Sequence, residues 1–399
     1  PQGIASTPQP EQGRRTHRRR WPWIVVGVVA GLLVLGMAAA LWVISGMIGD
    51  GARVPQPDAG YPMTITSIEG DQVSYTGVPS GWTDQGSYAL RTSEGGYSLS
   101  DAEPIVTGDG AGTRTVTDQV TPPALAAGQS AALDGWYYGA DPGEVLGLPY
   151  REVTYPAPGG PTAAWLIPGT SSTWVVYAHG RGDLPAQGLR MAHAMVPLGY
   201  PMLLIQYRND PQGPGGSGYA HFGTDEWADL EAAVQYALDQ GAERVVLAGT
   251  SMAGAMALAM LETSPLADRV VAVVGDAPAV DFGATVRRQT ADMGLPGFVT
   301  DLAMRIASLR FGMDWGAMDY VARAGDLSVP MLITQGAADT SALPDRAAAF
   351  AAAAPTGRVT LETFPETGHT LAWNTDRERF EALVTGFLDR VAPAAGGAS

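Results

Sequence analysis

The chain of 399 residues contains no cysteine and no lysine, and only five histidines. Without cysteine there is no disulfide, no zinc–thiolate site and no cysteine nucleophile. Without lysine there is no P-loop lysine, no Schiff-base lysine and no Ser-Lys dyad. All 24 basic residues are therefore arginine. No Gly-x-Gly-x-x-Gly follows a strand-like run and no histidine pair has metal-ligand spacing, so no nucleotide cofactor and no metal is expected. Positive charge is also scarce beyond the first twenty residues. These carry five Arg and one Glu, a local +4, which leaves −20 on the remainder of a chain whose total is −16. A body this acidic cannot displace counterions from a phosphate backbone, which excludes nucleic acid as a partner.

One long hydrophobic run is present. Residues 21–49 hold no charge, and the stretch 24–48 is almost wholly apolar. At 1.5 Å per residue it exceeds the roughly 30 Å of a bilayer core, and Trp21, Trp23 and Trp42 suit interfacial positions. The Arg cluster at 14–20 sets the N-terminal side in the cytoplasm by the positive-inside rule, with everything after residue 50 on the other side of the cell membrane. A competing reading is a signal peptide cleaved near Ala38-Ala39-Ala40; the apolar residues that continue through Ile44 favour an uncleaved anchor. The expected organisation is a disordered basic tail (1–20), a transmembrane helix (21–49), a linker and small β-rich region (50–133), a catalytic domain (134–393) and a short tail (394–399). The β-rich region shows alternating runs at 63–68, 72–75, 87–92, 97–100 and 112–120, separated by Gly-containing turns. These predict a small antiparallel unit, to which no chemistry is assigned.

From about residue 134 apolar strands alternate with helices, which predicts a mainly parallel α/β sheet covered on both faces. Strands are expected at 173–178, 202–207, 245–248, 270–274, 329–334 and 358–364. Helices are expected at 189–198, 225–240 (with Thr224 as N-cap), 344–354 and 376–391. A helical, irregular insertion fills 282–327.

The informative stretch is 245–258, where an apolar run breaks at Gly249 and Ser251 follows among small residues before an Ala/Met/Leu-rich helix. A serine on such a sharp strand-to-helix turn has its hydroxyl exposed, the physical content of a nucleophile elbow. A serine hydroxyl needs a base, and the base needs an orienting carboxylate. Of the five histidines only His369 falls in a loop after the last strand. Asp339 follows the strand ending at Thr334; its rival is Asp276, after the preceding strand.

The order Ser251, Asp339, His369, each after its own strand, resembles the α/β-hydrolase superfamily. The likeness covers about residues 134–393. The membrane-anchored arrangement looks most like bacterial serine hydrolases of the prolyl-oligopeptidase, dienelactone-hydrolase and monoacylglycerol-lipase-like branches. The resemblance implies an α/β-hydrolase fold with a cap at 282–327. It makes Ser251 the nucleophile, His369 the base and Asp339 the acid, with an oxyanion hole formed by the N–H groups of Arg181 and Met252. Ala253 stands where the family usually has glycine. His179, Gly180, Tyr207 and His221 are candidate substrate-binding residues, and Arg208 is a further candidate for the site lining. Met293, Met304, Met313, Met318, Phe298, Phe311 and Trp315 form either an acyl pocket or the core of the cap. The expected activity is cleavage of carboxylic esters of small molecules or lipids; the alternatives are a serine peptidase and a non-catalytic surface-binding protein.

Overall fold

An apolar strand without polar alternation has to be covered on both sides. Residues 245–248 show it in the computed structural model, which describes residues 21–53, 60–78, 86–102, 110–209 and 212–393. Val245 and Leu247 enter one layer of the core, Val246 and Ala248 the other. The tails expected at 1–20 and 394–399, and most of the linker, lie outside the described residues.

In chain order, a single long helix α1 (Trp21–Ala52) precedes six strands: β1 (Met63–Glu69), β2 (Gln72–Thr76), β3 (Gly86–Thr92), β4 (Tyr97–Ala102), β5 (Gly112–Thr121) and β6 (Ser130–Asp134). These close into an antiparallel barrel of order β1-β2-β5-β4-β3-β6. The expected antiparallel unit is therefore a barrel, sealed by β6, which the sequence pattern had not marked. Its interior holds Met63, Ile65, Val73, Tyr75, Tyr88, Leu90, Ala131 and Leu133. Closure leaves no strand edge unpaired.

A short helix α2 (Pro142–Leu146) leads into the main sheet. There β7 (Arg151–Ala157), β8 (Gly160–Ile167), β9 (Thr173–Ala178), α3 (Leu189–Met195), β10 (Met202–Ile205), α4 (Trp227–Asp239), β11 (Arg244–Thr250), α5 (Met252–Thr263) and β12 (Val270–Asp276) follow one another. The insertion carries α6 (Phe282–Asp292) and α7 (Gly297–Phe311). Then come β13 (Met331–Gly336), α8 (Pro344–Ala353), β14 (Val359–Phe364), α9 (Ala372–Thr375) and α10 (Arg377–Val391). The eight strands are ordered β14-β13-β12-β11-β9-β10-β8-β7. The run from β10 to β14 is parallel, and β7 and β8 form an antiparallel edge. Residues of α4, α5 and α8 cover one face and residues of α3 and α10 the other. The strand order reverses at β9, between β10 and β11, so the loops leaving β9 and β11 part there and open a crevice at the C-terminal edge.

Several boundaries differ from the sequence reading: α3 and β10 end earlier than expected, at Met195 and Ile205, and β12 and β13 run on to Asp276 and Gly336. The helix expected from residue 225 starts at Trp227, and Thr224 is not its N-cap. Thr224 Oγ1 instead donates to the His221 carbonyl. The loop before α4 is organised by the fully buried Glu226, whose carboxylate accepts from the N–H groups of His221 and Gly223 and from Asn209 Nδ2. Helix α1 runs to Ala52, three residues past the predicted span. Its first two-thirds present exposed Val, Leu and Trp side chains, whereas Leu41 and Ile48 pack against Val299, Ala303 and Ala307 of α7. Arg310 at the end of α7 fixes the crossing: its Nη1 donates to the Trp42 carbonyl at 2.7 Å and to Ser45 Oγ at 2.6 Å, and its guanidinium lies 3.8 Å from the Trp42 ring centroid.

Candidate active site

Ser251 sits between β11 and α5 with φ 54° and ψ −113°, a conformation that costs a non-glycine residue free energy and has to be imposed by its surroundings. Three backbone hydrogen bonds impose it. The Ser251 N–H donates to the Asp276 carbonyl at 2.9 Å, and the Ser251 carbonyl accepts from Gly254 and Ala279, each at 3.0 Å. Small residues permit the approach. A methyl group on Gly249 would lie 2.5 Å from Ala253 Cβ, and one on Gly254 would lie 2.3 Å from Pro278 Cβ. Alanine at 253 is tolerated because the residue that must lack a side chain on that flank is Gly254.

His369 reaches this serine from the loop after β14. Its Nε2 is 2.9 Å from Ser251 Oγ and its Nδ1 is 2.7 Å from Asp339 Oδ2. Asp339 follows β13 and is almost fully buried. Its Oδ1 accepts from the N–H groups of Ser341 and Ala342 at 2.8 and 2.9 Å, and Oδ2 also accepts from Gln335 Nε2 at 3.1 Å. The carboxylate is thus held by four donors, one of them the imidazole. Asp276, the rival, is not bonded to His369; Thr334 Oγ1 donates to it at 3.0 Å, and burial raises its pKa.

The segment after β9 lies across the crevice from Ser251. A methyl added at Gly180 would be in ordinary contact with Ser251 Cβ at 3.5 Å but would crowd Asp183 Oδ2 at 2.7 Å. The Gly180 N–H donates to Gln187 Oε1, and Gln187 Nε2 donates to Asp183 Oδ2. The Met252 N–H is at the first position of α5, where a helix has no internal acceptor and the helix dipole favours negative charge. Asp183 borders the cavity and is half-buried, and its desolvation pushes the carboxyl up to about 6 against the opposing pull of His179, Arg190 and His369. Sequence reasoning missed Asp183 and Gln187, although both follow His179 within eight residues.

Ser251, His369, Gly180 and Arg181 open on a cavity of about 440 Å³. Phe222, Phe282, Val286 and Leu295 make it apolar, and Trp136, just after the barrel, borders it. Of the seven cap residues considered as an acyl pocket only Met293 lines it. Met304, Met313 and Met318 are core, Trp315 Nε1 donates to the Met304 carbonyl, and Phe298 is exposed. The remaining wall comes from α1, through Ile44, Met47, Ile48 and Gly51.

Three of the four candidate substrate-binding residues do not line the cavity. His179 is fully buried, its Nδ1 2.8 Å from the Gly180 carbonyl and its ring stacked 4.5 Å from that of Tyr207. The Tyr207 hydroxyl donates to the carbonyls of His179 and Gly180 at 2.8 and 3.0 Å. Both order the loop. His221 pairs with Asp225 at 2.5 Å and meets the Phe311 carbonyl at 3.0 Å, tying its loop to the end of α7; the bond to Asp225 raises its pKa. Arg208 is paired with the buried Asp229 and is likewise outside the cavity.

Two buried residues missing from the sequence reading hold the His369 loop. Arg190 Nη1 donates to the carbonyls of Thr370 at 2.8 Å and Gly135 at 3.2 Å and to Asn374 Oδ1 at 2.7 Å. Asn374 Nδ2 donates to the carbonyls of Ser87 at 2.5 Å and Gly135 at 2.8 Å. The barrel is thereby docked on the loop that carries His369.

Residues 215–394 match the prolyl oligopeptidase family model, a little under half of the chain. No curated protein matches by sequence. Among solved structures, an esterase from Pyrococcus furiosus is 18% identical with a TM-score of 0.50, covering 68% of this chain and 98% of its own. An esterase from Thermogutta terrifontis is also 18% identical (TM-score 0.44, 60% and 98% covered), and a monoacylglycerol lipase from Paleococcus ferrophilus is 15% identical (TM-score 0.42, 57% and 98% covered). The sheet order and the elbow after β11 give the chain an α/β-hydrolase fold, and its C-terminal portion is similar to the prolyl oligopeptidase family.

Proposed function

We propose that the protein is a membrane-anchored serine hydrolase that cleaves carboxylic esters through an acyl-enzyme on Ser251. The observation that carries this reading is the unbroken chain Ser251 Oγ–His369 Nε2, His369 Nδ1–Asp339 Oδ2, at the mouth of an apolar cavity. His369 takes the Ser251 proton as Oγ attacks the carbonyl carbon. Asp339 fixes the tautomer and stabilises the imidazolium. The N–H groups of Met252 and Arg181 receive the developing oxyanion. Collapse of the tetrahedral adduct expels the alcohol, which takes the proton back from His369. A water activated by the same imidazole then releases the acid and restores Ser251.

The apolar lining favours an acyl group over a peptide. The family match favours the second reading, a serine peptidase with the same machinery. Fluorophosphonate labelling tests the nucleophile: the wild type forms an adduct and Ser251→Ala does not. An adduct that survives Ser251→Ala overturns the assignment, and a wild type that never labels leaves a binding protein on a hydrolase fold. A panel of esters of graded acyl length against dipeptide amides separates esterase from peptidase. For the anchor, α1 is the one described helix long and apolar enough to cross a membrane. Cleavage after Ala40 would leave residues 41–52 on the domain, so the intact mass of membrane-extracted protein discriminates: residues before Leu41 are retained in an anchor and absent from a processed signal.

A further inference from the structure

The cavity is walled on one side by the helix assigned to the membrane. Ile44, Met47, Ile48 and Gly51 follow i, i+3, i+4, i+7 spacing, so one face of the last turns of α1 points at the space that holds Ser251 and His369. A bilayer core takes about 20 residues of helix. The exposed apolar side chains of α1 before Leu41 fill that requirement, and burial against the domain begins at Leu41. Trp42, with the Arg310 guanidinium on its ring, has the pairing of aromatic and cation found at the headgroup boundary. The cavity-lining residues then start within one turn of that boundary. A second observation comes from α7. Val299, Ala303 and Ala307 of this helix are buried with Leu41 and Ile48, while Phe298, Leu302 and Leu309 are 62%, 40% and 89% exposed. Their spacing of four and seven residues puts these three on one face of α7. An exposed apolar stripe beside a membrane-entering helix is a surface for the interface plane.

We propose, resting on the ester-hydrolase reading above, that α1 is part of the substrate site. The substrate is a long-chain acyl ester held in the same bilayer, and its chain slides along the Ile44–Gly51 face of α1 into the cavity while the α7 stripe sits among the headgroups. The ester carbonyl thereby reaches Ser251 without the acyl chain crossing water.

The full chain in phosphatidylcholine vesicles provides the test, with 4-methylumbelliferyl oleate in the membrane and water-soluble 4-methylumbelliferyl butyrate as paired substrates. Leu309→Glu combined with Phe298→Glu alters only exposed positions; it is expected to lower oleate turnover at least fivefold with butyrate turnover within twofold of wild type. A methyl on Gly51 would meet nothing within 4 Å, so Gly51→Trp can enter the cavity wall without disturbing the backbone. It is expected to lower the oleate-to-butyrate ratio of kcat/KM at least tenfold. An unchanged ratio in both variants, or a wild type that hydrolyses butyrate and ignores oleate in its own vesicle, overturns the membrane-fed site and leaves the hydrolase standing. A wild type that cleaves neither ester and takes no fluorophosphonate overturns both.

Discussion

Asp339 Oδ2 lies 2.7 Å from His369 Nδ1, whereas Asp276, on the neighbouring strand, is bonded to Thr334 instead. The two carboxylates therefore predict different outcomes for the same substitution. Asp339→Asn leaves a side chain of the same shape that can present an N–H to the imidazole and favour the wrong tautomer, so kcat for ester hydrolysis is expected to fall about a thousandfold or more. Asp276→Asn keeps an acceptor for Thr334 and is expected to keep its activity. Steady-state kinetics of the two variants check the assignment; the reverse result moves the acid to Asp276.

Much of this site can be read from the chain because each member follows a strand, buried in β11 and β13 and half-buried in the edge strand β14. The runs ending at Ala248, Thr334 and Phe364 stop within two residues of the ends of β11, β13 and β14, and topology brings those ends to one edge. The second role of α1 is not readable in the same way. Ile44, Met47, Ile48 and Gly51 lie in a helix that is apolar on every side, so no periodic contrast marks the face that turns to the cavity. His179, Tyr207 and His221 misled for a related reason: a polar side chain near a catalytic loop can bond to backbone as readily as to substrate, and only the burial of these three decides. Thr224 had the chemistry of an N-cap, but Glu226 collects the loop's donors and moves the helix start to Trp227.

Arg190 lies on α3 with no sequence signal of function, yet it is buried and donates to the carbonyl of Thr370, the residue after His369. Arg190→Met is expected to free the loop, because the Thr370 carbonyl and Asn374 Oδ1 lose their Arg190 donor. A displacement of His369 by about 1 Å is enough to cost on the order of 100-fold in kcat. The expectation is a fall of about 10–100-fold in kcat with KM near wild type, because Arg190 does not line the cavity. A KM effect alone would contradict a positioning role.

The elbow predicts an asymmetry between two adjacent small residues. At Gly254 a methyl would meet Pro278 Cβ at 2.3 Å and Cα at 2.9 Å, so Gly254→Ala has to push away the turn whose Ala279 N–H holds the Ser251 carbonyl. Overpacking of this kind costs about 1–3 kcal/mol, and activity is expected to fall with stability. Ala253→Gly removes a methyl and introduces no clash; its cost is at most the roughly 1 kcal/mol of helix propensity. Urea denaturation together with ester turnover distinguishes the two, and equal losses would mean that Ala253 packs against more than Gly249.

Asp183 supplies a pH prediction whose sign follows from burial. Its carboxyl is pushed up to about 6 in the folded protein, against about 3.9 in an unfolded chain. Between those values the folded state binds the proton more tightly, so stability declines as pH rises from about 4 to about 6 and stays lower above that window. Asp183→Asn cannot ionise and retains an oxygen to accept from Gln187 Nε2, the bond that completes the Gly180–Gln187 link. The variant is expected to melt at the wild-type temperature near pH 4 and above it at pH 7.5, by about 2–4 °C for each kcal/mol regained. Thermal melts across pH 4–8 measure this difference. A variant less stable than wild type at pH 7.5 would mean that the ionised carboxylate, drawn by His179, Arg190 and His369, is favourable in place and that burial is not the dominant influence on Asp183.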